Sequence, residues 1–468
     1  MSFSVYPDQT FLENAEERNV PEIDDARGEF CFPGGWRPTG VTKQGEDIRQ
    51  FPGREEGKGS LANRRLWSPA NAVLGLTWLF FGMYYVNRFS FSPVIPLLRA
   101  DLGISNSQAG WLMGFFFISY TVFQLPSGFL GDRFGPRKVL TCGAAISIIG
   151  NLVFSGGSTL AMLALGQCVN GLGQAMGWSS SIKLVVNWFP RSRRATAIGL
   201  FATCVTAGSS AGMQLSGFFG DLLGWRSVFI ILPGLMAAAT VFFWMLVRDH
   251  PHEKGLPDFQ DEAVLEKQIA DDPRSGLSLV LSNRILWSVA LVYFCFVYVQ
   301  FGCLVWIPSF LKDTYALSVD RAGTISALVL LPGILASPLA GLLSDHWFHG
   351  RRRPLILLGL LALSGVMLLL SMRVGLTPVY FLLSLLGVLI VMPDILLAAY
   401  PSDILSRKLS ATGTGFLTTF TSAAGIVATP VSGKIIDHFH SYNAVFISFA
   451  VMAFLAALMT FFIREKNS

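Results

Sequence analysis

From residue 68 to residue 463 the chain alternates between long apolar runs and short polar turns. The runs fall at 68–97, 107–129, 138–156, 159–186, 195–220, 226–247, 284–310, 321–343, 354–372, 377–400, 411–433 and 441–463. Each is near the roughly 20 residues that a helix, rising about 1.5 Å per residue, needs to cross a bilayer. The runs also repeat. Ser105, Ala109, Gly110, Gly128 and Asp132 recur 213 residues on as Ser318, Ala322, Gly323, Gly341 and Asp345. A second set, Thr196, Gly199, Gly217 and Asp221, recurs 216 residues on as Thr412, Gly415, Gly433 and Asp437. The pattern predicts an all-α membrane protein with twelve transmembrane helices in two pseudo-symmetric six-helix halves.

Polar segments set the expected boundaries: a tail at 1–65, a first half at 66–247, a cytosolic linker at 248–283 and a second half at 284–468. The tail holds 12 acidic and 9 basic residues and lacks a basic start followed by an apolar core, so it reads as a flexible cytosolic tail and not a signal peptide. A docking or regulatory role is its other reading. Charges such as Glu253, Lys254, Glu266 and Lys267 predict a short surface helix in the linker. Lys and Arg cluster in alternate turns: Arg133, Arg137 and Lys138; Arg191, Arg193 and Arg194; Arg351 to Arg353; Arg407 and Lys408. The intervening turns hold only scattered basic residues. Positive charge favours the cytosolic side, which predicts both termini cytosolic in a plasma or inner membrane.

Composition narrows the classes. Hydrophobic residues make up 52% and charged residues 14%, too greasy for a water-facing surface. The net charge of +5 is confined to short clusters between apolar runs, which excludes a nucleic-acid footprint. The six cysteines show no C-x-x-C spacing, and the six histidines lie at span ends or in turns, so neither a metal nor another cofactor is expected. No nucleophile–base pair or phosphate loop suggests an enzyme.

Charges inside the apolar runs carry the chemistry, because a charge at mid-bilayer costs about 2.5–3.5 kcal/mol and so faces a cavity or a partner. Arg88 lies well inside the first span, with Tyr84 one turn before it. Its planar fork suits a carboxylate or phosphate oxygen pair. The alternative is a structural cation satisfied by backbone carbonyls. In the fourth span Gln167, Asn170, Gln174 and Trp178 share one face, and in the seventh Tyr293 and Gln300 lie two turns apart. Such stripes line cavities or glue helices together. Asp394 follows Pro393 inside the tenth span, as a proton carrier, a cation ligand or the partner of a basic residue. Its depth argues against direct contact with Arg88.

The run Gly128-Phe129-Leu130-Gly131-Asp132-Arg133-Phe134-Gly135-Pro136-Arg137-Lys138, with a weaker copy from Gly341 through Asp345 to Arg351 and Arg353, resembles the signature of the major facilitator superfamily. The resemblance covers residues 66–463 and implies that Gly128, Asp132, Arg133, Arg137, Asp345 and Arg351 form a cytosolic gating latch that stabilises the outward-facing state. Tyr84-Tyr85-x-Asn87-Arg88 and Asn170-Gly171-Leu172-x-Gln174 are similar to the organophosphate:phosphate antiporter and anion:cation symporter branches, where the first-helix arginine binds the substrate anion. The chain departs from those branches at four positions. Gln300-Phe301-Gly302 stands where phosphate-ester antiporters carry a second arginine, and Gln124 stands where they have a lysine. Asn87 and Gln174 stand where symporters often have acids.

The reading is a monomeric secondary transporter of a small organic anion by alternating access, as proton symport or anion exchange. Arg88, Tyr84, Asn87, Gln124, Gln174, Tyr293 and Gln300 form the expected substrate site, and Asp394 is the coupling residue. A sugar acid, a carboxylate or an organophosphate are the candidate substrates. The partners are that anion, the lipid bilayer and, for symport, protons. An exporter of lipophilic compounds and a non-transporting nutrient sensor are the rival readings.

Overall fold

The computed structural model describes residues 69–256, 278, 280–346, 352–372, 374–405 and 407–463. The expectations for the 1–65 tail and for most of the 248–283 linker therefore lie outside the described residues; within the linker, a 3-10 turn spans Pro251–Lys254. The described chain is almost wholly helical. In the N-terminal half α1 spans Pro69–Phe89, α2 Phe91–Leu102, α3 Asn106–Phe134, α4 Pro136–Ser155, α5 Leu160–Ala175, α6 Gly177–Trp188, α7 Arg191–Leu223 and α8 Trp225–Leu246. The C-terminal half comprises α9 (Arg284–Tyr315), α10 (Val319–His346), α11 (Arg353–Ser371), α12 (Leu376–Ile404), α13 (Arg407–Phe439) and α14 (Tyr442–Met459).

Each of the twelve apolar runs coincides with one crossing, but two crossings are broken. The first run becomes α1 and α2, parted at Ser90. Pro93 offers no amide to the Phe89 carbonyl and its ring crowds that carbonyl, which unseats the turn immediately after Arg88. The fourth becomes α5 and α6, parted at Met176 between Gly173 and Gly177, two residues past Gln174. Among the described residues, seven helices are long and apolar enough to cross a membrane in one piece, and α3, bent by 50° at Pro126, makes eight. The remaining crossings are the two broken ones and α10 and α13, which carry small and polar residues where they face the other half.

Glycines position the helices that carry the site. On α4 and α5, Gly143 faces Gly173 and Gly150 faces Gly166, and a Cβ at Gly166 would lie 2.9 Å from the Gly150 carbonyl oxygen. Backbones that close leave no room for side chains, the small-residue packing that membrane helices use in place of a hydrophobic driving force. The rotation of α1 is fixed by rings: Phe80 stacks on Phe243 of α8 at 4.2 Å, and Phe81 packs on Phe201 of α7 at 5.4 Å.

The two halves meet along α3–α13, α7–α10 and α2–α9. The repeated glycines are the contact points. A Cβ at Gly323 would stand 2.7 Å from the Met213 carbonyl oxygen, one at Gly217 would stand 3.0 Å from that of Val319, and Gly110 and Gly433 press on the backbones of Thr429 and Asn106. Hydrogen bonds cross the same seams: Thr429 Oγ1 donates to Gly110 O (3.0 Å), Ser210 Oγ to Ala327 O (3.1 Å) and Ser92 Oγ to Leu304 O (2.8 Å). At the other ends of these helices, nearer the basic clusters, Gly128, Gly199 and Gly415 face open space. Among the described residues the halves are thus joined at the end carrying Arg99 and Asn106, the sealed end, and make no such contact at the end carrying Arg133 and Arg137, the parted end.

Candidate functional site

Arg88 is buried in the interior of the N-terminal half, just before the break in the first crossing. Its Nε donates to Gln174 Oε1 at 2.9 Å. The Gln174 amide in turn donates to Asn170 Oδ1 (3.2 Å), which also accepts from Ser147 Oγ (2.6 Å). This chain orients the guanidinium from behind. Its faces are flanked by Tyr85 and Tyr120, whose ring centroids lie 4.7 and 4.6 Å from Cζ, with Phe116 at 5.3 Å. Among the described residues the Nη groups make no hydrogen bond, and neither is sealed from solvent. The result is a cation held by its back and faces, with its two-pronged edge uncommitted.

The tyrosine beside that edge is not the one the residue spacing suggested. Tyr84 donates its hydroxyl to the Leu140 carbonyl at 2.6 Å and is packed with Phe80 and Phe81 in the core between α1 and α4. Its polar end is therefore spent on the helix bundle, and Tyr85, one position on, takes the place beside Arg88. Asn87 also turns away: its amide donates to Met83 O (2.9 Å) and contacts Met236 Sδ (3.4 Å) on α8. Both departures have the same cause. The rotation of α1 is set by rings packing on α7 and α8, which the local spacing of polar residues does not encode. Tyr120 and Phe116, one turn apart on α3, had no charged residue near them in sequence to mark them. Gln124 lies a turn beyond Tyr120, half-buried, with no side-chain hydrogen bond among the described residues. Trp178 falls past the break at Met176 and packs on Phe81 and Phe201.

Across the interior, Tyr293 of α9 donates its hydroxyl to Asp394 Oδ1 of α12 at 2.7 Å. Gln300, two turns along α9, donates to the Ile390 carbonyl at 3.1 Å, three residues before Pro393. Asp394 is half-buried, and Tyr85 lies within electrostatic reach of both Asp394 and Arg88. Arg88 and Asp394 form no ion pair among the described residues, in keeping with their depths. Phe117 of α3 meets Phe301 of α9 at 4.6 Å and joins the two halves beside this pair of charged groups. A separate cleft of about 600 Å³ opens at the sealed end, lined by Arg99, Asn106, Asp313, Tyr315, His440 and Tyr442.

The signature residues at the parted end bind within their own half. Asp132 Oδ1 pairs with Lys183 Nζ of α6 at 2.6 Å, largely in solvent, where such a pair contributes little. Arg137 bonds the Trp244 carbonyl and lies 3.9 Å from the ring of Trp244, and its backbone amide donates to Asp249 Oδ1 at 2.7 Å. Burial raises the Asp249 carboxyl above its ordinary value, against that amide. The exposed Arg133 packs on Phe134, and Gly128 faces open space. The side chain of Asp345 and all of Arg351 lie outside the described residues. No hydrogen bond joins the halves here among the described residues.

Comparison with known proteins places this geometry in context. The family profile described as Major Facilitator Superfamily matches residues 77–429 and 309–468. The "Probable sulfoacetate transporter SauU" of Cupriavidus necator is 24% identical over 401 residues, covering 84% of this chain and 93% of that protein. The "Probable hexose phosphate transport protein" of Chlamydia trachomatis is 26% identical over 418 residues, covering 82% and 89%. Among solved structures, a bacterial homologue of the human lysosomal transporter Spinster superposes with a TM-score of 0.70 at 17% identity, covering 86% of this chain and 99% of the other.

Proposed function

Since the chain belongs to the Major Facilitator Superfamily, a family of membrane transporters and not of enzymes, we propose that it carries a small organic anion by alternating access, with Arg88 as the anion-binding group. The observation that carries this is the free Nη edge of a buried guanidinium, already oriented by Gln174 and flanked by Tyr85 and Tyr120. A carboxylate or sulfonate accepts two parallel hydrogen bonds from such an edge, and burial strengthens both. The rings of Tyr85 and Tyr120 flank the guanidinium, and their hydroxyls are the candidate donors for the remainder of the solute.

Charge balance favours a monoanion. The described interior presents one cation, Arg88, and one acid, Asp394; with Asp394 protonated a monoanion is balanced by Arg88, whereas a doubly charged phosphate ester leaves a negative charge uncompensated. Asp394, held by Tyr293 on the C-terminal half, is the proton-coupling candidate, and exchange of one anion for another is the alternative coupling. The substrates for which the two relatives are named, a sulfonate and a sugar phosphate, support an anionic class. With the basic clusters cytosolic, the sealed end faces outward and the parted end opens to the cytosol, in a plasma membrane with both termini inside. The two halves are taken as 66–247 and 284–468, the linker between them as cytosolic, and the protein as a monomer.

The test is uptake into liposomes containing the purified protein, using a sulfonate, a sugar acid and a phosphate monoester as probes. Saturable uptake of a monoanion that is lost in Arg88→Ala, with an unchanged melting temperature, supports the assignment. Uptake that is indifferent to Arg88→Ala overturns it, and ligand binding without flux points to a sensor.

A further inference from the structure

Asp437 belongs to a repeated pair whose partner, Asp221, should do the same work if the two halves were equivalent. They are not. Asp437 lies one turn past Gly433 on α13, and its carboxylate covers the N-terminus of α3 in the other half. Oδ1 accepts from the backbone N–H of Asn106 (3.0 Å) and from Asn106 Nδ2 (2.8 Å), and Oδ2 accepts from the backbone N–H of Ser107 (2.7 Å). Within α3, Ser105 Oγ accepts from Gln108 N at 3.2 Å, and Ala109 N bonds Ser105 O at 3.0 Å. Every amide of the first turn therefore has a partner, two of them supplied from across the seam. Although burial acts to raise it, the Asp437 carboxyl sits below its ordinary value, because these donors outweigh burial.

At the equivalent place in the other seam, Asp221 lies one turn past Gly217, and Gly217 presses on the start of α10. Ser318 and Ala322 reproduce the Ser105 and Ala109 bonds, with Arg321 N on Ser318 Oγ (3.2 Å) and Ala322 N on Ser318 O (2.9 Å). Yet among the described residues Asp221 bonds nothing, and the amides of Val319 and Asp320 have no partner. The repeat explains why: the position of Ser107 is occupied in the second copy by Asp320. An acid already stands at that helix start, and a second carboxylate is repelled from it.

We propose that Asp437 is the positioning residue that holds the sealed end shut, the charged latch across the two glycine seams, which among the described residues are otherwise joined there by neutral contacts. A chain from Arg99 of α2 to Asp313 of α9 (3.5 Å), with the Tyr442 hydroxyl on the same carboxylate oxygen (2.7 Å), ties the halves a second time at this end. That pair is partly exposed and long, so it contributes little by comparison. Asp437 favours the closed arrangement twice over, by hydrogen bonds from amides and by opposing the positive end of the α3 dipole. Both gains vanish when the seam parts and water replaces α3. In the transport cycle, which rests on the reading above, loss of the latch populates the state open at this end.

Hydrogen exchange on the full-length protein in lipid nanodiscs tests the latch without requiring a known substrate. In Asp437→Asn, amides 106–112 should exchange about tenfold faster, the loss of a charge-assisted bond. The decisive peptides are 213–220 and 319–327, which line the other seam and touch Asp437 nowhere. If the halves move as bodies these also exchange faster; if Asp437 is only a local helix cap they stay unchanged, and the proposal falls. Asp221→Asn should leave both seams as they are. Asn106→Ala, which deletes one donor and keeps the carboxylate, should give an intermediate effect and guards against misfolding of the first variant. Faster exchange on both seams in a protein that never shows anion flux would keep the latch and sink the transport reading. Anion flux with undisturbed seams in Asp437→Asn would do the reverse.

Discussion

Replacing Arg88 with lysine separates two accounts of the site that alanine cannot. If Arg88 acts only as a positive charge, lysine should serve nearly as well, since the ammonium is retained. If it acts through the free Nη edge, lysine must fail, because a point charge cannot offer two parallel donors in a plane. The structure favours the second account. The guanidinium plane is set by the 2.9 Å bond to Gln174 and by tyrosine rings at 4.7 and 4.6 Å, constraints that matter only for a flat group. The ring contacts exist with and without solute, so they set orientation and drop out of the affinity difference. What changes is one of two charge-assisted hydrogen bonds, worth about 1.5–3 kcal/mol, which is roughly a 10- to 150-fold loss of affinity. Arg88→Ala should lose more, as both bonds and the charge disappear. The assay is calorimetric titration of a monoanionic probe into detergent-solubilised protein, with the melting temperature as a control for folding. Parent-like affinity in Arg88→Lys, alongside a large loss in Arg88→Ala, would refute the fork and leave a bare electrostatic anchor.

Four further outcomes are expected. Tyr85→Phe and Tyr120→Phe should raise KM, whereas Tyr84→Phe should leave KM alone and cost about 1 kcal/mol of stability, since its hydroxyl serves Leu140; the reverse order would restore Tyr84 to the site. Asp394→Asn should abolish accumulation driven by a pH gradient and spare anion exchange, and accumulation as before would remove Asp394 from coupling. Gly110→Val should drive a side chain into the Thr429 carbonyl, so that probe binding survives while turnover is lost; normal turnover would mean the seam need not close. Asp101 is held below the ordinary carboxylate value by hydrogen bonds from Trp225 Nε1 and Arg226. The stability it adds is complete above the ordinary value and disappears as pH falls through the lowered one. Asp101→Asn should thus lower the melting temperature at neutral pH and leave it unchanged in strong acid.

The crossings were legible in the sequence because their determinant is one-dimensional: about 20 apolar residues in a row are a helix in a bilayer whatever lies beside them. The repeated glycines were legible too, although their purpose was not. Only the packed structure shows that Gly110, Gly217, Gly323 and Gly433 are where the halves touch. At the candidate site, Arg88, Gln174, Tyr293 and Asp394 stood out because a polar group inside an apolar run has few reasons to be there. Tyr84 and Asn87 stood out by the same logic and turned elsewhere, to Leu140 and Met236. Residues three and four positions before Arg88 both lie near its face of the helix. Which of Tyr84 and Tyr85 reaches it is decided by rings from α7 and α8, distant in sequence. Tyr120 belongs to the same class of omission, a residue brought to Arg88 by a neighbouring helix.

The glycine seams have a mechanical consequence. Surfaces that meet main chain to main chain have almost no side chains to re-sort when they part. What becomes wet is largely peptide groups already bonded within their own helices, and little greasy area is uncovered. Such a joint can be undone and remade on every turnover with little hysteresis, like a hinge with smooth faces.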